Sequence, residues 1–403
     1  MCVLLHVCCI STCTCVYIHM CIVYIYVFTC TCSNTHVYRI STCRPHADPF
    51  GNVYAPHSFE GRRAGTPLCG AGAKKFCAIP FVIRGDLDWY LKVLKLNNYN
   101  SNTPCALCAC NTTTRPWRDF GRSSAWLDSV HNTLSWRAAN PHPACCLFLS
   151  PLISIACINP DWMHTMHLGV YTYAFASVLW LLAYELLEED PARNMVTIMR
   201  ELRAYWKTHA TLGHFQGITL SMFSVENDPE RKQPQLKGTS GEIKRLSKGL
   251  LHVFKAHKRR GFATHAEIGL MLKKWIEMDD ILDEHPGHIF PKLPRPVADT
   301  FENLAFDSLA LLTSVAGHYM RVDPKPLFNV TVKAHMLAHC GIHARFLNPR
   351  LAICYGGEDY MKHMKRAVFM ASRGTKANNI CKKMGDKLVL AMHCEMSAGG
   401  HFR

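Results

Sequence analysis

The sequence predicts a mainly α-helical chain with a short α/β portion ahead of it, α+β in overall class. Three observations carry this. From about residue 151 onward apolar side chains recur at helical spacing, segment after segment. Ahead of them one run, Phe76-Cys-Ala-Ile-Pro-Phe-Val-Ile-Arg84, reads as a buried strand. And 49% of the 403 residues are hydrophobic, enough for a sizeable core in two or three domains.

Residues 1–44 are of low complexity, built almost wholly from Cys, Val, Tyr, Ile, His, Met and Thr. Each of these can be encoded by alternating purine–pyrimidine codons, so the segment reads as a translated repeat that stands outside the fold. As a signal peptide it lacks a basic start and a Leu/Ala-rich core. As a membrane anchor it is interrupted by His6 and His19. Membrane association through 1–44 is the alternative to a nuclear or cytoplasmic location.

Residues 45–75 carry turn chemistry, as in Asp48-Pro-Phe-Gly51 and Gly70-Ala-Gly72. After the strand, Asp86–Leu96 reads as a helix, followed by a polar loop that delivers Cys105-Ala-Leu-Cys108. The run from Val170 to Leu187 is apolar enough to span a membrane by length. Asp161, His164 and His167 ahead of it and the acids Glu185, Glu188, Glu189 and Asp190 at its end make it a buried central helix instead. Further helices are expected over 194–209, 242–258, 263–283, 297–320, 333–346, 358–372 and 377–396. A Pro- and charge-bearing linker lies near 224–240. The chain thereby divides into 1–44, 45–150 and 151–403.

The formal charge of +15 and a pI near 9.0 favour an anionic partner, and nucleic acid is the commonest. Basic residues concentrate in two windows. One ends in Lys255-Ala-His-Lys258-Arg259-Arg260; the other, from 362 to 387, includes Lys362, Lys365 and Arg366. Phe254, Phe262 and Phe369 lie nearby and offer rings for base stacking. Of the 21 cysteines, nine fall in the first 43 residues. The remaining spacing is irregular, which fits a reducing compartment rather than a disulfide framework.

Cys105 and Cys108 have the spacing of half a zinc site. Cys110, His131, Cys145, Cys146, His164 and His167 are available to complete it, and His164 or His167 is the expected complement. His164 and His167, three apart, share a helix face; Asp161 caps that helix or orients a His. His335, His339 and His343 also line one helix face, without the glutamate of a His-Glu-x-x-His protease motif. Asp86 stands where a strand gives way to a helix, and serves either as a metal ligand or as an N-cap. Glu358 and Asp359 open a helix, where acids complement the dipole or bind metal.

Taken in order, Gly85-Asp86-Leu87-Asp88, Asn100-x4-Cys105-x-x-Cys108, Pro160-Asp161-x-Met163-His164-x-x-x-Leu168-Gly169, Leu347-Asn-Pro-Arg350-x3-Cys354-x3-Glu358-Asp359 and Arg373-Gly-Thr375 resemble a set of transposon-derived proteins found in multicopy in some protist genomes. That set is distantly similar to transposases of CACTA-type cut-and-paste elements. The resemblance, over roughly residues 48–395, implies the remnant of an RNase H-like core followed by a large helical domain. It implies that Asp86 matches the second catalytic Asp, Glu358 the Glu, and Cys105 and Cys108 the family's Cys pair. Magnesium would be the cofactor of an active enzyme, zinc a structural one, and DNA the partner.

The chain departs from that pattern upstream of Asp86. Residues 45–75 are too short and too rich in Gly and Pro for three strands, and Asp48 precedes a proline in a turn. The expectation is therefore a transposase-derived DNA-binding protein that does not cut. An active two-metal transposase or nuclease, and a zinc-stabilised helical interaction protein, are the alternatives.

Overall fold

The computed structural model describes residues 4–10, 13–20, 23–29, 76–149, 153–223, 233–287 and 289–355, with single positions at Phe369, Arg373 and Lys383. The chain forms two compact units. One contains residues 1–83, 150–153 and 362–403; the other contains 84–149 and 154–361.

In the first unit β1 (Leu4–Ile10), β2 (Cys13–Met20), β3 (Val23–Thr29) and β4 (Phe76–Ile83) form an antiparallel sheet in the order β1-β2-β3-β4. Leu4 pairs with His19, Val16 with Val27, and Val23 with Ile83. The segment whose composition set it outside the fold thus enters a β-meander. Its Val, Ile, Tyr and Thr are the residues that suit a pleated surface. The expected strand at 76–84 is β4.

The second unit is mainly helical. Short α1 (Leu87–Lys92) and α2 (Thr133–Ala139) flank the Cys105–Cys108 loop. A central helix follows, π-helical over Met163–Val170, α-helical as α3 over Tyr171–Leu181 and π-helical again over Leu182–Leu186. Then come α4 (Pro191–Thr208), α5 (Ser240–His257), α6 (Ala263–Glu284), α7 (Arg295–Arg321) and α8 (Val332–His343). Residues 84–149 share this unit with the helices. The helices expected over 358–372 and 377–396 lie outside the described residues apart from Phe369 and Lys383, as does most of the linker at 224–240.

Local chemistry sets these boundaries. Asp190 accepts from the N–H groups of Ala192 and Arg193, and Pro191 opens α4 at the position where its missing N–H costs nothing. Thr239 and Glu242 form a reciprocal capping box at the start of α5. Asn194 closes the end of the central helix, its Nδ2 donating to the carbonyls of Ala183 at 2.8 Å and Glu189 at 2.7 Å. The span Met163–Leu186 is long and apolar enough to cross a membrane, but 83% of its most apolar window is buried. Its own Tyr171 and Phe175 are fully buried, and Tyr171 lies 5.8 Å from the buried Trp275 of a neighbouring helix, which makes it the core helix. α7 and α8 touch closely: a Cβ on Gly341 would meet Ala305 Cβ at 2.9 Å, so any larger residue would push the two helices apart.

Candidate metal centre

α8 is buried all round from Ala334 to Gly341, and that buried run carries two histidines. His335 and His339 are both fully buried, one turn apart, against the loop that carries the Cys-x-x-Cys pair. The Cys105 Sγ lies 3.4 Å from His339 Nε2, the Cys108 Sγ 3.3 Å from His335 Nε2, and the two Nε2 atoms 3.2 Å apart. All four donor atoms fall within 4.8 Å of one another.

These distances fit zinc. With Zn–N near 2.05 Å and Zn–S near 2.3 Å, tetrahedral angles place two nitrogens about 3.3 Å apart and a nitrogen and a sulfur about 3.6 Å apart. The surroundings favour the same reading. His335 Nδ1 lies 3.0 Å from the Trp117 carbonyl, so it carries the proton and leaves the Nε2 lone pair facing the thiols. The Leu107 N–H donates to Cys105 Sγ at 3.2 Å, a bond that supports a thiolate. Burial, then the neighbouring His335, pushes His339 well below the ordinary imidazole range, which keeps it neutral and able to ligate. The buried Trp126 ring backs both histidines at 4.5 and 5.3 Å and anchors itself by Nε1–H to the Asp119 carbonyl at 2.6 Å. Two thiols and two imidazoles form a closed set, with no open position for substrate, which is the form of a structural site.

A third thiol, Cys110, touches this centre. Bonds with the Cys105 and Cys108 thiols pull its pKa down, while burial pushes Cys105 up. Among the described residues, seven cysteines are free thiols.

Cys105 and Cys108 are brought together as expected, but the complement is His335 and His339, not His164 and His167. The π-helical turn winds more widely than an α-helix, so residues three apart diverge. His164 turns to Asp161, and Asp161 also accepts from the N–H groups of Met163 at 3.1 Å and Cys354 at 3.0 Å. His167 turns inward, with Nε2 3.0 Å from Asp279 Oδ1 and Nδ1 2.7 Å from the Tyr355 hydroxyl. The third histidine of α8 also stands apart. His343 Nδ1 lies 3.0 Å from Asn159 Oδ1, and burial lowers its pKa to about 4. The spacing of His335 and His339 was visible in the sequence; nothing local connected it to thiols more than 220 residues upstream.

Asp86 caps α1, its Oδ1 accepting from the Trp89 N–H at 2.6 Å. Glu358, Lys362, Lys365 and Arg366 lie outside the described residues. Asn348 is a buried peg: its Nδ2 donates to the carbonyls of His285 and Phe290, both at 2.8 Å, and its Oδ1 caps Arg350.

The first basic window divides in two. Lys244 and Lys248, on α5, pair with Asp283 and Asp280 of α6 at 2.8 and 2.7 Å. Beyond them Lys255, Arg259 and Arg260 are exposed and Lys258 is half-buried at the helix end. Arg259 donates to the Glu185 carbonyl at 3.2 Å. Phe254 is fully buried, so it packs the core rather than stacking on a base; it falls on the apolar stripe of α5. Phe262 remains partly exposed and lies edge-on to His265 and His318. Phe369 is exposed, with Arg373 over its ring at 4.4 Å.

No family model matches the chain, and no curated protein matches it.

Proposed function

We propose that the helical unit is a zinc-stapled nucleic-acid-binding module, derived from a transposase and catalytically silent. The buried set Cys105, Cys108, His335 and His339 is the observation that carries it. Zinc there would tie the loop before α2 to α8 and so link segments more than 220 residues apart. The transposase descent, with β4 and Asp86 as the remnant of an RNase H-like core, rests on the ordered motifs of the sequence. A nuclear or cytoplasmic setting agrees with reduced thiols and suits a DNA partner.

The contact to DNA is assigned to the free end of α5. There Lys255, Lys258 and Arg260 make no ion pair among the described residues, in contrast to the paired Lys244 and Lys248. Each phosphate neutralised contributes a slope of about −0.9 to log affinity against log salt. Replacing Lys255, Lys258 and Arg260 with Ala is expected to weaken duplex binding and to reduce that slope by up to about 3. A titration of labelled duplex at several salt concentrations measures it; affinity indifferent to ionic strength would overturn the assignment.

Silence in catalysis follows from the carboxylates. A two-metal site needs acids that clamp both the attacking and the leaving oxygen. The ordered motifs supply only Asp86 and Glu358, and Asp161 has both oxygens held by His164 and by N–H groups. With Mg²⁺ or Mn²⁺ the purified chain is expected to leave supercoiled plasmid intact. Nicking that disappears in Asp86→Ala and Glu358→Ala would establish the enzyme instead.

A further inference from the structure

A half-open cavity of about 640 Å³ lies within the helical unit, between the start of α8 and the chain that follows the Cys-x-x-Cys loop. That size is typical of sites for small ligands. Its frame is unusually built. One wall is the π-helical turn carrying His164, and such turns recur at functional sites. Lys333 runs along that turn to the Leu168 carbonyl at 2.9 Å. It can do so because residue 169 is glycine: a Cβ there would meet Lys333 Cδ at 2.6 Å.

The charges in the cavity cancel. Asp88 pairs with Lys92 at 2.6 Å. The remaining acids, Asp86 and Asp161, are matched in number by Lys333 and Arg118. A bare phosphate or a bare cation would therefore gain little here. The rest of the lining is flat and hydrogen-bonding. Tyr99 and Trp117 supply rings, with the Arg118 guanidinium stacked 4.6 Å from the Trp117 centroid, and Asn100 and Asn329 supply amides. A saturated sugar would leave the rings unused, and a plain aromatic would leave the amides of Asn100 and Asn329 without a ligand partner.

We propose that this cavity binds a nucleoside, its base against Trp117 and its donor groups toward Asp86 and Asn329. The site is independent of the basic end of α5, and its success or failure is separate from that of DNA binding. The test is calorimetric titration of the zinc-loaded full chain with adenosine, guanosine, cytidine, uridine, ribose, indole and adenosine monophosphate. At least one nucleoside is expected to bind at one per chain, with ribose and indole at least tenfold weaker. Stacking on an aromatic side chain contributes about 1–3 kcal/mol per base, so Trp117→Ala is expected to weaken binding by about tenfold. Asp86→Asn keeps the cap of α1, since Asn also caps well, and is expected to weaken binding with no change in melting temperature. No nucleoside binding at millimolar concentration, binding that survives both replacements, or equal binding of ribose or indole would overturn the proposal. So would a monophosphate that binds more tightly than its nucleoside.

Discussion

Replacing Cys105 and Cys108 together with Ser is expected to abolish zinc binding and to lower the melting temperature of the helical unit sharply. The purified chain should carry about one zinc per molecule by elemental analysis, and the double variant none. Structural zinc in small domains contributes about 10–16 kcal/mol of apparent binding free energy. A folded domain of this size has a net stability of only about 5–15 kcal/mol. Even a fraction of the metal's contribution thus decides whether α8 stays docked. The effect should be strong here because the four donors are buried: without metal, two thiols and two imidazole nitrogens are left facing one another away from solvent. His335→Ala and His339→Ala should behave like the cysteine variants, while His164→Ala should keep its zinc. Because thiols must lose protons to ligate, zinc affinity should rise with pH. A metal-free chain that melts at the same temperature with and without chelator would refute the site.

Helices were the most legible part of the sequence, for a local reason. α5 was expected over 242–258 and runs from Ser240 to His257, because an apolar stripe and the Thr239–Glu242 capping box both act within a few residues. The metal centre was half legible. The Cys-x-x-Cys spacing is local, and so is the one-turn spacing of His335 and His339, but their pairing is a tertiary event set by how the cysteine loop packs on α8. Two residues were misassigned for a different reason. An α-helix would have put His164 and His167 on one face, whereas the π-helical turn sends one toward the cavity and the other into the core. Repetition set residues 1–44 apart from the fold; within them β1, β2 and β3 pair in order, β3 next to β4, and alternating β-branched and aromatic residues are what a sheet accepts.

Asp279→Ala is expected to cost about 3–5 kcal/mol, the range for leaving buried partners of a charge unpaired. Asp279 is a buried carboxylate of α6 with three donors. Its Oδ1 accepts from Trp162 Nε1 at 2.9 Å and His167 Nε2 at 3.0 Å, and its Oδ2 from the Tyr171 hydroxyl at 2.8 Å. His167 carries the network on to Tyr355, so this one carboxylate fixes the π-helical turn, α3 and the segment that leads toward Glu358. Burial acts to raise the pKa of Asp279, but His167 and the Trp162 N–H outweigh it and hold the carboxyl at about 2. An unfolded Asp titrates near 3.9. A carboxyl depressed on folding stabilises the native state above its unfolded pKa, and that contribution is lost as pH falls from about 4 toward 2. Asp279→Asn should therefore flatten the acid limb of the stability profile in that window. Asp280 and Asp283, next on the same helix, supply the contrast. Their pairs with Lys248 and Lys244 are exposed, and Ala at either should cost less than about 1 kcal/mol. Urea denaturation of the three Ala variants at neutral pH makes the comparison. If Asp279→Ala proves no more costly than Asp280→Ala, the buried network does not hold the central helix.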